Sequence, residues 1–353
     1  MVGLYSKLKN FKGVFLLINN NHNKETDFLN LLNKNNINCL AVYKQKPNYI
    51  YQGKNIILNK LNFFYFVLVV SFLKNQKILI TSQPYFAFPY IFFSKSTHLY
   101  AYDTHIGLNY VSKFKILIER VVLYFFKNII HRDLRTWVYY KKFLKNPKRK
   151  NLFLPDYISS IHSSDKNKII PIKCAFIGWA DDKNVKVDKS VKKFLEFGIE
   201  VHFFSKKNSY EMTKKLINLN NNEEKLLHYE GEVFGSKFHE KLKKFQFGLC
   251  PHDAEKPKIS KNYRKYCSSL RIYDYLNNNM TIILSESALY QKYIIKSHNG
   301  KYIHLSDLYS ITNKEELLKN TNKNKILIKS KYFKQDYLAS KLATYLNINF
   351  ELN

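Results

Sequence analysis

A chain of 353 residues with 45% hydrophobic residues, among them 27 Tyr and 27 Phe, carries more apolar surface than one ordinary core absorbs; that excludes a disordered tail and predicts two domains of typical size. Its 58 Lys and Arg against 27 Asp and Glu leave a formal charge of +31, a field that draws the protein towards nucleic acid or an anionic lipid surface. The chain is also crowded with Lys, Asn, Ile, Tyr and Phe and has only 10 Gly and 8 Pro, the usage of an AT-rich genome, so part of the charge reads as coding bias on solvated faces. No RNA-binding signature, zinc-finger spacing or basic zipper is present, which argues against nucleic acid as the partner.

In chain order, the N-terminal MVGLYSKLKNFKGVFLLINN has a short apolar run after basic residues, no small-residue cleavage site, and polar Asn directly behind it. It predicts a first strand rather than a signal peptide. GVFLLIN (13–19), CLAVY (39–43), NIILN (55–59), KILITS (77–82), HLYAYDT (98–104) and NIIHRD (128–133) then read as strands, with helical patterns over 112–127 and LRTWVYYKKFL. Two apolar runs, 61–73 and 84–93, are shorter than the about 20 residues a spanning helix needs. They predict helices buried against the sheet, or an aromatic surface that dips among lipid headgroups beside lysines.

Residues 145–170 break this rhythm with NPKRKN, the strand-like LFLPDY and the polar SSIHSSDKNK, and the linker is placed here. Beyond it IKCAFIGW (172–179), EVHFFS (200–205), LLHYEG (226–231), FGLCPH (247–252), MTIILSE (280–286) and KYIHLS (302–307) alternate with helical stretches at 187–197, 209–218, 236–245 and 268–277. The stretch 331–346 is helical in pattern. Such alternation predicts an α/β protein made of two Rossmann-like, doubly wound parallel-sheet domains facing a cleft, over 1–158 and 159–330, with 331–353 as a C-terminal helix crossing back to the first domain. Cys39, Cys174, Cys250 and Cys267 form no C-x-x-C pair and have no histidine at ligand spacing; three of them fall within or beside apolar runs and read as packed thiols, and the compartment reads as reducing.

Neither half carries G-x-G-x-x-G, and G-x-x-x-x-G-K-[ST] is absent, which excludes dinucleotide redox chemistry and P-loop phosphoryl transfer in their usual forms. Phosphate has to be held otherwise, and SSLRIYDYLNNNMTIILSE at 268–286 offers a way. Ser268 and Ser269 stand where a helix N-terminus presents unpaired backbone N–H groups. Arg271 adds a fixed cation, and Asp274, one turn on, is placed to accept from a ribose diol. Arg264 and Lys265 lie just upstream. The plainer reading is a capped amphipathic helix whose Leu270, Tyr273 and Leu276 simply pack.

The order of elements in the second half, together with LRIYDYLNNNMTIILSE, resembles the GT-B glycosyltransferases, in which an acid in a Y-[ED]-Y-L context precedes a strand. The resemblance implies an acceptor-side first domain, a nucleotide-sugar-binding second domain and Asp274 as the ribose acid. It places Glu230 and Gly231 near the base, His252 near the donor, and LYAYDTHIGL at the acceptor-side strand end. It also implies a transferase acting in bacterial surface-glycan synthesis (capsule, lipooligosaccharide or similar), peripheral on the inner face of the cytoplasmic membrane, with a glycan or lipid-linked acceptor. The chain departs from the pattern in two places: Tyr266 stands where the first of two acids seven residues apart would fall, and NNNHNK (19–24) replaces a glycine-rich loop. Retention and inversion both stay open.

Glycosyl transfer needs charge stabilisation on the departing diphosphate, which Arg271, Ser268, Ser269 and Arg264 supply without metal. An inverting reaction also needs a general base, and Asp103 and His105, ending an apolar strand, fit that role; capping a turn and decorating the surface are the alternatives. His131, Arg132 and Asp133 spell a kinase-like H-R-D, but its companion motifs are missing, so a structural role is predicted. Trp179, Asp181 and Asp182 either touch donor or turn the chain. With no D-x-D at a strand end and no histidine pair at zinc spacing, neither metal nor cofactor is expected. A sugar-nucleotide epimerase on the same fold and a non-enzymatic basic nucleic-acid-binding protein are the competing functions.

Overall fold

The computed structural model describes residues 8, 11, 13–19, 24–46, 53–72, 77–93, 97–102, 104–105, 111–143, 150–157, 172–180, 187–217, 219–233, 236–251, 261–319, 321 and 327–346. The chain divides into two compact units, one built from Met1–Ile106, Val111–Pro155 and Tyr332–Asn353, the other chiefly from Asp156–Lys331.

In the first unit the strands are β1 (Val14–Ile18), β2 (Cys39–Tyr43), β3 (Asn55–Ile57), β4 (Lys77–Ser82), β5 (Thr97–Ala101), β6 (Asn128–His131) and β7 (Lys150–Phe153). They form one sheet in the order β3-β2-β1-β4-β5-β6-β7, every pairing parallel. All five residues of β1, VFLLI, are buried, because helices cover both faces of a parallel sheet and leave no side for polar alternation. Phe15 and Leu17 meet Phe63, Phe66 and Val70 of α2 (Lys60–Ser71) on one face. On the other, Phe28 of α1 (Lys24–Lys34) lies 4.8 Å from the Tyr100 ring. The run at 150–153, expected within a linker, is instead the edge strand beside β6.

The two apolar runs only partly follow the expectation of buried helices. Helix α2 turns Phe63, Phe66, Val67 and Val70 to the sheet, yet it is apolar on every side, and Leu61 stays 78% exposed. Residues Pro84–Phe93 form a 3-10 helix with Pro89 inside it; proline has no N–H for an α-helical ladder. That turn packs against α3 (Lys113–Phe125) and buries Ala87 and Tyr90, while Phe92 remains 83% exposed. A further helix, α4 (Leu134–Phe143), follows β6. Among the described residues no helix is long and apolar enough to cross a membrane.

The second unit repeats the scheme with β8 (Lys173–Ile177), β9 (Glu200–Phe204), β10 (Leu227–Tyr229), β11 (Phe247–Cys250), β12 (Thr281–Leu284) and β13 (Tyr302–His304). Their order is β10-β9-β8-β11-β12-β13, again all parallel. Its core joins Phe176, Phe194, Val201, Phe203, Phe247 and Ile283; α5 (Asp188–Glu196) and α6 (Lys207–Leu216) lie in the β8-to-β10 stretch, and α7 (Ser236–Leu242) and α8 (Leu270–Asn277) flank β11 in sequence. The last described helix, α9 (Gln335–Leu346), packs on the first unit beside α1. There Lys34 Nζ meets Asp336 Oδ1 at 2.5 Å, and the Tyr345 hydroxyl donates to Lys150 O at 3.0 Å.

Candidate active site

In the second sheet the strand order reverses at β8, which has β9 on one side and β11 on the other. Ligands of doubly wound sheets bind beyond the carboxyl ends of the strands at such a point. The backbone leaves β8 through Gly178, whose φ of +86° suits glycine, with its N–H donated to Phe204 O at 2.9 Å. Helix α8 is pinned to the same strands by Tyr275. Its buried hydroxyl lies 2.9 Å from Leu249 O and 3.2 Å from Ala175 O, and accepts the Ile177 N–H at 3.2 Å. Gly248 makes room for that ring, since a Cβ there would come within 2.5 Å of it.

So held, α8 brings its N-terminus to the loop that follows β8. Ser269 occupies the N-cap position but gives no side-chain cap; its hydroxyl turns to the Cys250 thiol instead. Ser268 Oγ is buried without a hydrogen-bond partner. Arg271 donates through Nη2 to Trp179 O at 3.0 Å and lies over the Phe176 ring at 4.9 Å, yet its Nη1 is buried and unpaired. Buried polar atoms without a protein partner are completed by water, an ion or a ligand. A hydroxyl and a guanidinium N–H at an uncapped helix N-terminus are suited to an anion, and phosphate oxygens above all. Asp274 is half-buried one turn further on, its carbonyl accepting Asn278 Nδ2 at 2.8 Å.

The other second-unit candidates are placed apart from this cluster or engaged otherwise. Arg264 sits on the short helix Lys261–Tyr266, where its carbonyl accepts the Cys267 thiol at 3.4 Å. The Glu230 carboxylate, at the end of β10, is gripped by His202 Nδ1 at 2.9 Å and Lys241 Nζ at 2.5 Å. Burial by itself would raise its pKa, but the hydrogen bonds from Lys241 and His202 outweigh burial and hold it below the usual carboxylate range. Gly231 follows with φ +74° and open space where a Cβ would stand. His252, Asp181 and Asp182 lie outside the described residues. Trp179, half exposed, contributes the carbonyl that holds Arg271.

In the first unit, Asp103 lies outside the described residues, whereas His105 is tied to a residue the sequence reading passed over. Glu119 of α3 is fully buried. It accepts the Thr104 hydroxyl at 2.9 Å and the His105 N–H at 2.9 and 3.1 Å, and it faces His105 Nδ1 at 2.7 Å. A carboxylate on Nδ1 keeps the proton there and leaves Nε2 as the acceptor, the arrangement of an oriented general base. The only hint in sequence is an acid set within ILIERVVL. Beyond β1, Asn19 was also missed: its Nδ2 donates to Ser82 Oγ and Phe86 O at 3.0 and 2.9 Å, and its Oδ1 accepts from Lys44 Nζ at 2.8 Å and the Tyr90 hydroxyl at 3.2 Å. Burial and the charge of Lys60 lower the Lys44 pKa.

The H-R-D triplet is structural. His131 is fully buried and 3.4 Å from Asn151 Oδ1 across the β6–β7 pair, and Arg132 Nη1 donates to Tyr102 O at 3.0 Å. Asp133 opens α4 by accepting the Arg135 N–H at 2.7 Å while clasping the Arg135 guanidinium.

No family model matches the chain, and no curated protein matches it by sequence. Solved structures do match. Anabaena HepE in complex with UDP and glucose superposes with TM-score 0.66 at 9% identity, over 95% of this chain and 99% of its own. An alpha-glucosyltransferase in complex with UDP-glucose and DNA containing an abasic site gives 0.57 at 10% identity, over 94% of both chains. WaaG, a glycosyltransferase involved in lipopolysaccharide biosynthesis, gives 0.55 at 10% identity, over 95% of both. The chain has the GT-B fold. In this GT-B chain the sheet reversal at β8, the uncapped α8 and the unpaired Arg271 nitrogen coincide in one unit, while the oriented His105 belongs to the other.

Proposed function

We propose that the protein transfers a glycosyl group from a nucleotide-sugar to an acceptor hydroxyl. The observation that carries this reading is the pair of buried unpaired atoms, Ser268 Oγ and Arg271 Nη1, at the uncapped N-terminus of α8 where the strand order reverses. Such a site holds a diphosphate and stabilises the charge that gathers on it as the glycosidic bond breaks. UDP or UDP-glucose bound to the structural neighbours supports a nucleotide-sugar in this role. Asp274 binds the ribose, and His105, oriented by Glu119, takes the acceptor's proton through Nε2. The chemistry on these residues needs no metal.

The acceptor we assign is a lipid-linked glycan reached from an anionic membrane surface on the cytoplasmic side, in bacterial surface-glycan synthesis. Phe72, Phe92, Phe114 and Leu117 are each more than half exposed, and they belong to the elements 60–72, 84–93 and 113–125 of one unit. Isolated exposed apolar residues are ordinary, whereas several large ones beside Lys60, Lys113 and Lys115 suit lipid headgroups. DNA, present in the complex of one structural neighbour, is the rival polyanion. It would use the charge but leave the apolar side chains without purpose.

The test is incubation of the purified chain with a panel of nucleotide-sugars, with and without a short-chain polyprenyl-linked glycan or duplex DNA. Donor-dependent glycosylation of the lipid-linked acceptor is the expected result. Affinity for none of the donors overturns the reading, a changed sugar formed from donor alone would indicate an epimerase, and transfer to DNA would overturn the acceptor assignment.

A further inference from the structure

The second unit holds a cluster of ionisable side chains on β9 and β10. Glu200 and His202 are alternate residues of β9 and therefore share a face of the sheet. The parallel register sets His228 of β10 directly across from His202. The two imidazole rings stack with centroids 4.4 Å apart, and Glu200 Oε2 lies 2.9 Å from His202 Nε2 and 3.5 Å from His228 Nε2. The three atoms all fall within 4.8 Å of one another.

Two further observations point to a ligand at their centre. His228 Nε2 is buried and has no hydrogen-bond partner. Glu230 Oε1, 2.9 Å from His202 Nδ1, stands behind that ring as carboxylates stand behind metal-bound histidines. A tetrahedral ion with bonds of about 2.0–2.1 Å sets its ligands roughly 3.3 Å apart. The present spacings of 2.9 and 3.5 Å bracket that value. The side chains of Glu200 and His228, 34% and 38% exposed, leave the fourth position open to water.

We propose that Glu200, His202 and His228 form a binding site for a divalent zinc-like cation. One competitor is already in place: Lys173, in register with Glu200 on β8, holds Nζ 2.6 Å from Glu200 Oε2. The ion displaces that ammonium, whose side chain is a quarter exposed and has solvent to move into. Once bound, the ion fastens the three-residue edge strand β10 to β9 and, through His202, holds Glu230 at the head of the segment that follows. Its place is structural, apart from the transfer reaction.

The experiment is a competition titration of the full-length, chelator-stripped protein with ZnCl2 against a chromophoric chelator, paired with Co2+ absorption as a reading of coordination geometry. One Zn2+ per chain and a tetrahedral Co2+ spectrum are expected. His228→Ala should weaken binding by roughly 100-fold or more, since even outer-shell changes cost 10–100-fold. Lys173→Met, which removes the competing cation and leaves the ligands in place, should tighten binding and keeps the test decisive if His228→Ala misfolds. Zn2+ uptake unaffected by His228→Ala, no tightening in Lys173→Met, or no uptake by the wild-type chain would each overturn the site.

Discussion

The Tyr275 hydroxyl sits 2.9 Å from the carbonyl of Leu249, a residue 26 positions earlier on the neighbouring strand, and this contact anchors α8 to the sheet. Tyr275→Phe keeps the ring that fills the space above Gly248 but strands two buried carbonyls and one N–H. Loss of such bonds costs about 1–3 kcal/mol, visible as a lower urea midpoint with an unchanged slope. Gly248→Ala should do more harm, because the new methyl meets backbone-anchored aromatic atoms at 2.5 Å.

Arg271 joins three environments: the Trp179 carbonyl, the Phe176 face and an unpaired buried nitrogen. Arg271→Ala should raise the Kd for nucleoside diphosphates by about 10- to 100-fold, the worth of one charge-assisted bond. Arg271→Lys should recover little of it, since an ammonium lacks the planar fork that reaches the Trp179 carbonyl while lying over the Phe176 ring. Calorimetric titration separates the two outcomes; equal binding by wild type and Arg271→Ala would refute the donor assignment.

His105→Ala should lower kcat by about 10²- to 10⁴-fold, the range of a positioned base, with donor KM little changed. Glu119→Gln is the sharper probe. The amide no longer holds a proton firmly on Nδ1, so kcat should fall while donor KM stays close to the wild-type value. A loss confined to thermal stability, with normal turnover per folded molecule, would assign Glu119 to packing alone.

His131 predicts an acid weakness. Burial holds its folded-state pKa down at about 3, against 6.5 for an accessible imidazole. Below pH 6.5 the unfolded chain takes up a proton that the folded chain refuses, so stability is complete above 6.5 and declines as pH falls towards 3. The slope is up to about 1.4 kcal/mol per pH unit. Urea midpoints measured from pH 7 to pH 4 should show the decline, and His131→Gln should flatten it.

Phe72 and Phe92, 73% and 83% exposed, add little to the fold. Replacing both by Ser should leave the melting temperature within a degree or two, while co-sedimentation with phosphatidylglycerol vesicles drops sharply, each ring being worth about 1.5–3 kcal/mol on full burial in an apolar phase. Unchanged sedimentation would remove these rings from the membrane reading.

Much of the architecture was legible because parallel strands buried on both faces announce themselves as short apolar runs: VFLLI, CLAVY, KILITS and TIIL were each read within a residue or two of their observed ends. Helix 268–277 was legible through its serine pair and its spacing. The edge strand KNLF was harder, being half polar and hidden beside prolines. The His105–Glu119 pair and the His202–His228 stack were not legible at all. Each joins residues on different elements, brought together by a register or a helix placement that periodicity does not encode.

Helix α9 lies against α1 and reaches Lys150 of β7, although its residues are among the last in the chain. The unit translated first is therefore the one completed last. While the second unit emerges and folds, the flank of the first sheet awaiting α9 stays uncovered, with α1 lacking its neighbour. Ribosome stalling, proteolysis or a premature stop after the second unit would thus strike the first one, leaving a sound second unit attached to an unfinished first.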